Sequence, residues 1–167
     1  MAIVMKSILL NGLLAALLLG LPLFFLSKTK TTPKTSPAPM QTVKFNAGII
    51  TPKVRESKEF YTRYLGFGVT FENDWFVLLH SPGGGSSISF LLPEQAAQRP
   101  IFRPAFGGRG VFLTVEVPDV DAEYRRIRDL GVPIEVELRD EPWGDRHFAI
   151  VDPNGIGVDI VTYTPPE

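Results

Sequence analysis

The chain has two histidines, His80 and His147, and the surroundings of His147 suit acid–base chemistry. Its near neighbours Glu141 and Asp145 are acidic, and an imidazole beside carboxylates can act as a general base when a substrate is within reach. A surface histidine, or one hydrogen-bonded for structural reasons, is the alternative interpretation. His80 stands directly before Ser-Pro-Gly and is typical of a strand end.

Composition excludes several other kinds of chemistry. The 167 residues contain no cysteine, which rules out thiolate nucleophiles, disulfides and thiolate-bound metals. Removing the four lysines before Met40 leaves thirteen basic residues against eighteen acidic ones, a net charge of −5, and that argues against nucleic-acid binding. The runs Gly83–Gly85 and Gly107–Gly108 lack the strand–helix context of a nucleotide-binding loop.

The tract Glu141–Gly155 predicts a turn, a strand and a second turn. Pro142 and Gly144 suit a bend, and Asp-Pro-Asn-Gly at its end supplies helix-incompatible turn chemistry. Between the two turns, side chains alternate with the period of two that a strand shows. The tract is followed by one last apolar strand.

The same order of elements occurs twice. The patterns predict a strand, a helix and three strands at 43–50, 54–65, 68–72, 75–80 and 87–92, and again at 111–117, 120–130, 134–138, 146–151 and 157–163. Gly66 and Gly131 end the two helices, and Asp119 or Asp121 caps the second. A spacing of roughly 66 residues is too long for a solenoid repeat and indicates a duplicated module.

The ordered motif Pro-Trp-Gly-x-Arg-x-Phe-x-x-x-Asp-Pro-x-Gly resembles the closing hairpin of the vicinal-oxygen-chelate superfamily. That superfamily contains glyoxalase I, ring-cleaving dioxygenases and bleomycin-resistance proteins. The resemblance implies an α+β fold of two βαβββ modules, about 40–98 and 108–167, which form a half-open, eight-stranded, barrel-like cleft. It also implies that ligands bind on the concave side.

The resemblance further implies where metal ligands would lie, on the first and fourth strands of each module. Those positions hold Asn46, Ser89, Phe112 and Asp159. Phe cannot ligate a metal, and the amide and hydroxyl oxygens are weak neutral donors, so only Asp159 brings charge. The two histidines are expected on third strands, away from these positions. We therefore predict no metal site and no other cofactor.

The same register predicts a ligand-binding face. The expected binding residues are Asn46, Ser89, Phe112, Thr114, Glu116, Trp143 and Asp159. Asp159 with Glu116 would recognise a cationic or hydrogen-bond-donating ligand, and Phe112 and Trp143 would stack on it. The alternatives are a solvated Asp159, or one paired with Arg146 or Arg109, and aromatic side chains that belong to the core.

Three classes of function remain open. The first is a glyoxalase/bleomycin-resistance-like protein that binds a small molecule without a metal, sequestering a drug or metabolite, with a homodimer implied by the resemblance. The alternative is a lyase, isomerase or dioxygenase with a non-standard metal site or with metal-free acid–base chemistry by Asp159, Glu116 or His147. A third is an interaction domain whose cleft is filled by its own side chains.

The N-terminal part has a different composition. Residues 8–26 are almost wholly apolar and predict a helix of roughly 28 Å, near the thickness of a bilayer. We interpret residues 1–26 as a membrane anchor or signal segment, 27–39 as a Lys/Thr/Pro-rich linker and 40–167 as the folded domain. Lysines after the apolar segment favour a cytoplasmic domain on a single-span anchor. If translation starts at Met40, the protein is cytoplasmic.

Overall fold

The structure is a computed structural model that describes residues 40–164, and it contains two helices and eight strands within that range. In chain order they are β1 (Ala47–Ile50), α1 (Val54–Leu65), β2 (Gly68–Glu72), β3 (Phe76–His80), β4 (Ser87–Leu91), β5 (Phe112–Glu116), α2 (Val120–Asp129), β6 (Val136–Asp140), β7 (Asp145–Val151) and β8 (Gly157–Tyr163). A short 3₁₀ turn, Pro100–Phe102, lies between the two modules.

The strands form two four-stranded sheets of the same topology. Sheet A has the order β1-β4-β3-β2, and sheet B has the order β5-β8-β7-β6. In each sheet the first and last strands of the module are parallel neighbours, and the other pairs are antiparallel. The predicted duplication of a βαβββ module and the α+β fold are therefore confirmed.

The helices begin and end where local chemistry requires. The Asp119 carboxylate accepts a hydrogen bond from the backbone N–H of Ala122 at 2.9 Å and so caps the start of α2. Helix α1 ends at Gly66, whose φ of 70° is a left-handed conformation that costs glycine little. Both ends agree with the sequence-based predictions.

Each helix covers one face of its sheet, and the buried side chains form one hydrophobic cluster. Phe60 and Tyr61 of α1 and Ile127 of α2 belong to it, together with Phe148 and Ile150 of β7, which have no exposed surface. Burying a side chain of this size contributes about 1.5–3 kcal/mol each. The side of each sheet away from its helix is called here the open face.

Alternation along the strands assigns residues to the open face of sheet B. Leu113 and Val115 pack against the core, so Phe112, Thr114 and Glu116 lie on the opposite side of β5. By the same rule, the open face takes alternate residues of β7 and β8, namely Asp145, His147, Ala149, Val151, Gly157, Asp159, Val161 and Tyr163.

Polar contacts also join the two modules on the helix side. The Tyr61 hydroxyl donates to Oδ2 of Asp152 at 3.3 Å, and Thr51 Oγ1 donates to Oδ1 of Asn154 at 2.6 Å. A guanidinium nitrogen of Arg126 donates to the Tyr64 carbonyl at 2.8 Å. The β7–β8 turn therefore fastens the second module to α1 and the end of β1.

Within residues 40–164, no helix has the length and apolar character needed to cross a membrane. This finding contradicts the predicted membrane-anchored localisation, which is corrected here, and gives no support to a membrane as a partner. The N-terminal hydrophobic helix of residues 8–26, on which both predictions depended, lies outside the described residues.

Candidate functional site

The open face of sheet B brings four of the predicted binding residues together. Phe112, Thr114 and Glu116 are exposed along the edge strand β5, and the Phe112 ring is 71% exposed. Asp159 of β8 is the direct register partner of Thr114. An aromatic ring and carboxylates thus share one solvent-accessible surface.

Asp159 is held by a histidine. Nδ1 of His147 lies 2.6 Å from Oδ1 of Asp159, and the two residues are diagonal neighbours on β7 and β8. The expectation that both histidines lie away from the ligand positions is therefore wrong for His147. The alternative pairing of Asp159 with Arg146 is also wrong, because Arg146 binds Asp121 and Asp140.

The second nitrogen of His147 is occupied as well. Nε2 lies 3.1 Å from Oε1 of Glu141, and the side chains of His147 and Glu141 are only 16% and 11% exposed. Burial would lower the pKa of His147, but the hydrogen bonds and charges of Asp159 and Glu141 outweigh it, so the pKa lies above its usual value. These contacts agree with the alternative interpretation of His147 as a structurally bonded histidine.

Glu141 has a second cationic partner. Nε of Arg139 donates to Oε1 of Glu141 at 2.6 Å. Burial would raise the pKa of Glu141, but the hydrogen bonds from His147 and Arg139 hold that pKa below its usual value. The four side chains Arg139, Glu141, His147 and Asp159, named here the His147 network, form a chain of alternating basic and acidic groups on the open face.

The turn before β7 positions Glu141. Gly144 has a φ of 102°, and its N–H donates to the Glu141 carbonyl at 3.0 Å. A side chain at Gly144 would also approach the Thr164 carbonyl to 3.3 Å. Trp143 is 69% exposed, with its indole N–H donating to Asp145 at 2.8 Å, so it is an exposed aromatic side chain beside the His147 network.

The other two predicted residues lie in the first module. Ser89 is buried on β4, where its hydroxyl donates to the Ala47 carbonyl at 3.4 Å. Asn46 is exposed and precedes β1, although the sequence predicted a strand from Val43. Strand β1 therefore contributes fewer side chains to the predicted binding face than expected, because Asn46 precedes it and Gly48 has no side chain.

Comparison with known proteins identifies the family. The model of the Glyoxalase/Bleomycin resistance protein/Dioxygenase superfamily matches residues 43–160. The chain belongs to this superfamily. An uncharacterised protein of Mycobacterium bovis is 31% identical over 64 residues, which are 38% of this chain and 42% of that protein. The chain thus spans about two fifths of the length of the curated relatives it matches.

Solved structures of superfamily members have the same fold. A glyoxalase/bleomycin resistance protein/dioxygenase from Nocardioides has a TM-score of 0.64 and 21% identity, with 78% of this chain and 89% of that chain covered. An antibiotic-binding protein from a Streptomyces species has a TM-score of 0.59 and 20% identity over 77% and 100%. A lactoylglutathione lyase from Agrobacterium tumefaciens has a TM-score of 0.60 and 19% identity over 73% and 95%.

The superfamily implies a metal ion, and the four residues expected at its ligand positions do not fit one. Phe112 offers only carbon atoms, the Ser89 hydroxyl donates to a backbone carbonyl, and Asp159 is engaged by His147. A divalent ion needs several good donors to offset its dehydration. Among residues 40–164, no group of three or more histidine, aspartate or glutamate side chains is arranged to hold a metal.

Proposed function

We propose that the protein binds a small organic molecule on the open face of sheet B without the superfamily's metal, and that it sequesters this molecule, a drug or a metabolite. The proposed ligand has an aromatic part and a cationic or hydrogen-bond-donating group. Of the seven binding residues predicted from the sequence, Phe112, Thr114, Glu116 and Asp159 lie on this face and Trp143 lies beside it, whereas Asn46 and Ser89 lie in the first module.

One observation carries this proposal. Phe112 is exposed at the β5 position where the superfamily would place a metal-ligating residue. The carboxylates of Asp159 and Glu116 lie on the same face. Phe112 presents a flat apolar surface for stacking, and Asp159 Oδ2 is the oxygen left over after Oδ1 has bound His147. Such a surface suits an aromatic cation better than it suits a metal ion.

A second copy of the chain completes the cleft in this proposal. Inside one chain the modules are joined on the helix side, through Tyr61 and Asp152 and through Arg126 and the Tyr64 carbonyl. Strands β1 and β5 are each one of the two edge strands of their sheets. Members of the superfamily bind small molecules and often dimerise, and an exposed Phe112 on an edge strand supports pairing of β5 with another chain.

The first experiment is calorimetric titration of Ni²⁺, Zn²⁺ and Fe²⁺ into the metal-stripped full-length protein. We expect no saturable binding for any of the three ions. Stoichiometric binding at micromolar or lower concentration would contradict the proposal and would favour the enzymatic alternative, in which a chelator abolishes turnover.

Ligand binding is then tested with a panel of planar aromatic cations, monitored by NMR. We expect Phe112→Ala and Asp159→Asn each to weaken the best binder about tenfold, because each change removes roughly 1.4 kcal/mol of stacking or charge-assisted hydrogen bonding. The matched control is Phe102→Ala, which removes an exposed phenylalanine from the segment between the modules. Equal affinity in all variants would contradict the proposed site.

The enzymatic alternative would need a free acid or base. Both ring nitrogens of His147 are within hydrogen-bonding distance of carboxylates, so this side chain has no free nitrogen for a substrate. Glu116, which is exposed on β5, and Oδ2 of Asp159 are the carboxylate groups of the open face that a substrate could reach as a general base.

A further inference from the structure

A pocket of about 660 Å³ lies between the two modules, and Glu116 is the one residue of the proposed ligand site that borders it. The first module contributes Arg63 and Leu65 at the end of α1 and the following Gly66 and Phe67, together with Ser81, Pro82, Gly83 and Gly85 of the β3–β4 turn. The second module contributes the end of β5 and the first turns of α2. The volume is in the range of sites that hold drug-sized molecules.

The interior of this pocket is apolar. Leu65, Phe67 and Pro82 line it from the first module. Val115, Val117, Ile127 and Ile160 line it from the second, and Val115 and Val117 are partly buried against the hydrophobic core. Glu116 also borders the pocket, but alternation along β5 directs its side chain to the open face. The body of a ligand held here would therefore be apolar.

The charged side chains at the pocket rim favour an anion. Oε2 of Glu123 accepts hydrogen bonds from Nε and a terminal nitrogen of Arg126 at 2.8 and 2.6 Å, so these two charges neutralise each other. Arg63 lies with its guanidinium carbon 5.3 Å from the centre of the Tyr64 ring and, among residues 40–164, forms no ion pair. One positive charge thus remains beside an apolar pocket.

From this arrangement we infer a second ligand site: the pocket between the modules binds an amphipathic monoanion, a carboxylate on an apolar chain or ring, with the carboxylate at Arg63. Guanidinium binds carboxylate through paired N–H donors, and the apolar part of the ligand covers Leu65, Phe67 and Val117. This site takes the opposite charge to the ligand proposed for the open face, so the two proposals stand or fall separately.

Decanoate is the probe, titrated into the full-length protein by calorimetry. Decyltrimethylammonium and decanol, which have the same chain, are the matched ligands. We expect one decanoate per chain, with both other compounds binding at least about tenfold more weakly, since a charge-assisted hydrogen bond is worth about one factor of ten or more. Binding of decyltrimethylammonium as tight as that of decanoate would overturn the inference.

Three variants locate the probe. Arg63→Gln should weaken decanoate about tenfold, whereas Arg55→Gln, on the same helix but away from this pocket, should leave its affinity unchanged. Phe112→Ala should also leave it unchanged. Loss of affinity in Phe112→Ala with none in Arg63→Gln would place the anion on the open face and overturn the inference.

Filling the pocket is an independent test. A side chain at Gly85 would meet no atom within 4 Å of its Cβ, and Gly85 does not have a left-handed φ, so Gly85→Trp is compatible with the backbone. We expect it to abolish decanoate binding with no change in sedimentation. A switch from dimer to monomer in Gly85→Trp would show that a second copy of the chain occupies the pocket, which also overturns the inference.

Discussion

His147 lies within hydrogen-bonding distance of carboxylates through both ring nitrogens, and this favours its protonated form. A neutral imidazole has only one N–H donor, so it can donate a hydrogen bond to Asp159 or to Glu141 but not to both. Only the protonated ring donates to both. The result is a rigid support for Asp159, whose position on the open face is then set by β7 and the turn before it as well as by β8.

The charge of His147 predicts a pH dependence of stability. Because its pKa is raised in the folded state, its contribution is fully present below the unfolded value of about 6.5 and is lost as pH rises through the folded pKa. Urea unfolding of the protein and of His147→Gln should therefore differ more at about pH 6 than at about pH 9. An NMR titration should give a His147 midpoint above about 6.5, lowered in Asp159→Asn. A midpoint at or below that value would contradict the network.

Two phenylalanines on opposite faces of sheet B test the assignment of faces. Phe148 is fully buried under α2 beside the Tyr124 ring, whereas Phe112 is 71% exposed. Phe148→Ala should lower the free energy of unfolding by about 3–5 kcal/mol, because it leaves a cavity. Phe112→Ala should change it by less than about 0.5 kcal/mol at protein concentrations too low for two chains to pair. Chemical denaturation of both variants would show a misassigned face if their effects were similar.

At the scale of elements, the β7–β8 turn joins the modules through one buried carboxylate. Oδ1 of Asp152 accepts from the N–H groups of Asn154 and Ile156 at 2.8 and 2.9 Å, which closes the turn. Oδ2 accepts from the Tyr61 hydroxyl and from the Asn154 amide. Burial, and then the nearby Asp152 charge, raises the pKa of Tyr61, so its hydroxyl keeps its proton and donates.

These contacts predict that two substitutions lower the free energy of unfolding by different amounts. Asp152→Ala leaves several buried donors unsatisfied and should cost about 3 kcal/mol or more of the free energy of unfolding. Tyr61→Phe removes one donor from a carboxylate that keeps three others and should cost about 1 kcal/mol. Thermal or urea unfolding measures both. A larger effect for Tyr61→Phe would mean that the turn does not depend on Asp152.

The sequence predicted the order of the elements but not the contact between His147 and Asp159. Periodicity and glycine stops located both helices and the order of all eight strands, but β6 lies at 136–140 rather than 134–138, and its pairing with β7 is irregular between Val136 and Arg139. The contact of His147 with Asp159 depends on which residues of β7 and β8 stand diagonally opposite. Strand alternation shows which face a residue is on but not which residues of β7 and β8 stand opposite each other. The contact could therefore not be derived from the sequence.

At the scale of the whole molecule, the helix sides of the two modules share one buried cluster. On the open face of sheet B, no other part of residues 40–164 covers Phe112. The hydrophobic cluster runs through both modules, with Ile49 and Phe60 from one and Ile127 and Ile160 from the other. The exposed aromatic side chains Phe112, Trp143 and Tyr163 lie on or beside the open face. A surface of this kind is typical of a binding or pairing site.

Sedimentation equilibrium tests the proposed pairing of two chains. We expect a dimer, and we expect Phe112→Glu to dissociate it, because the new carboxylate would be buried near Glu116 and Asp159 without a counter-charge. Leu130→Glu is the matched control: Leu130 is 43% exposed at the end of α2, away from the open face, and the change should leave the dimer intact. A monomeric wild-type protein that still binds an aromatic cation through Phe112 would show that one open face suffices, and the proposed two-chain cleft would be wrong.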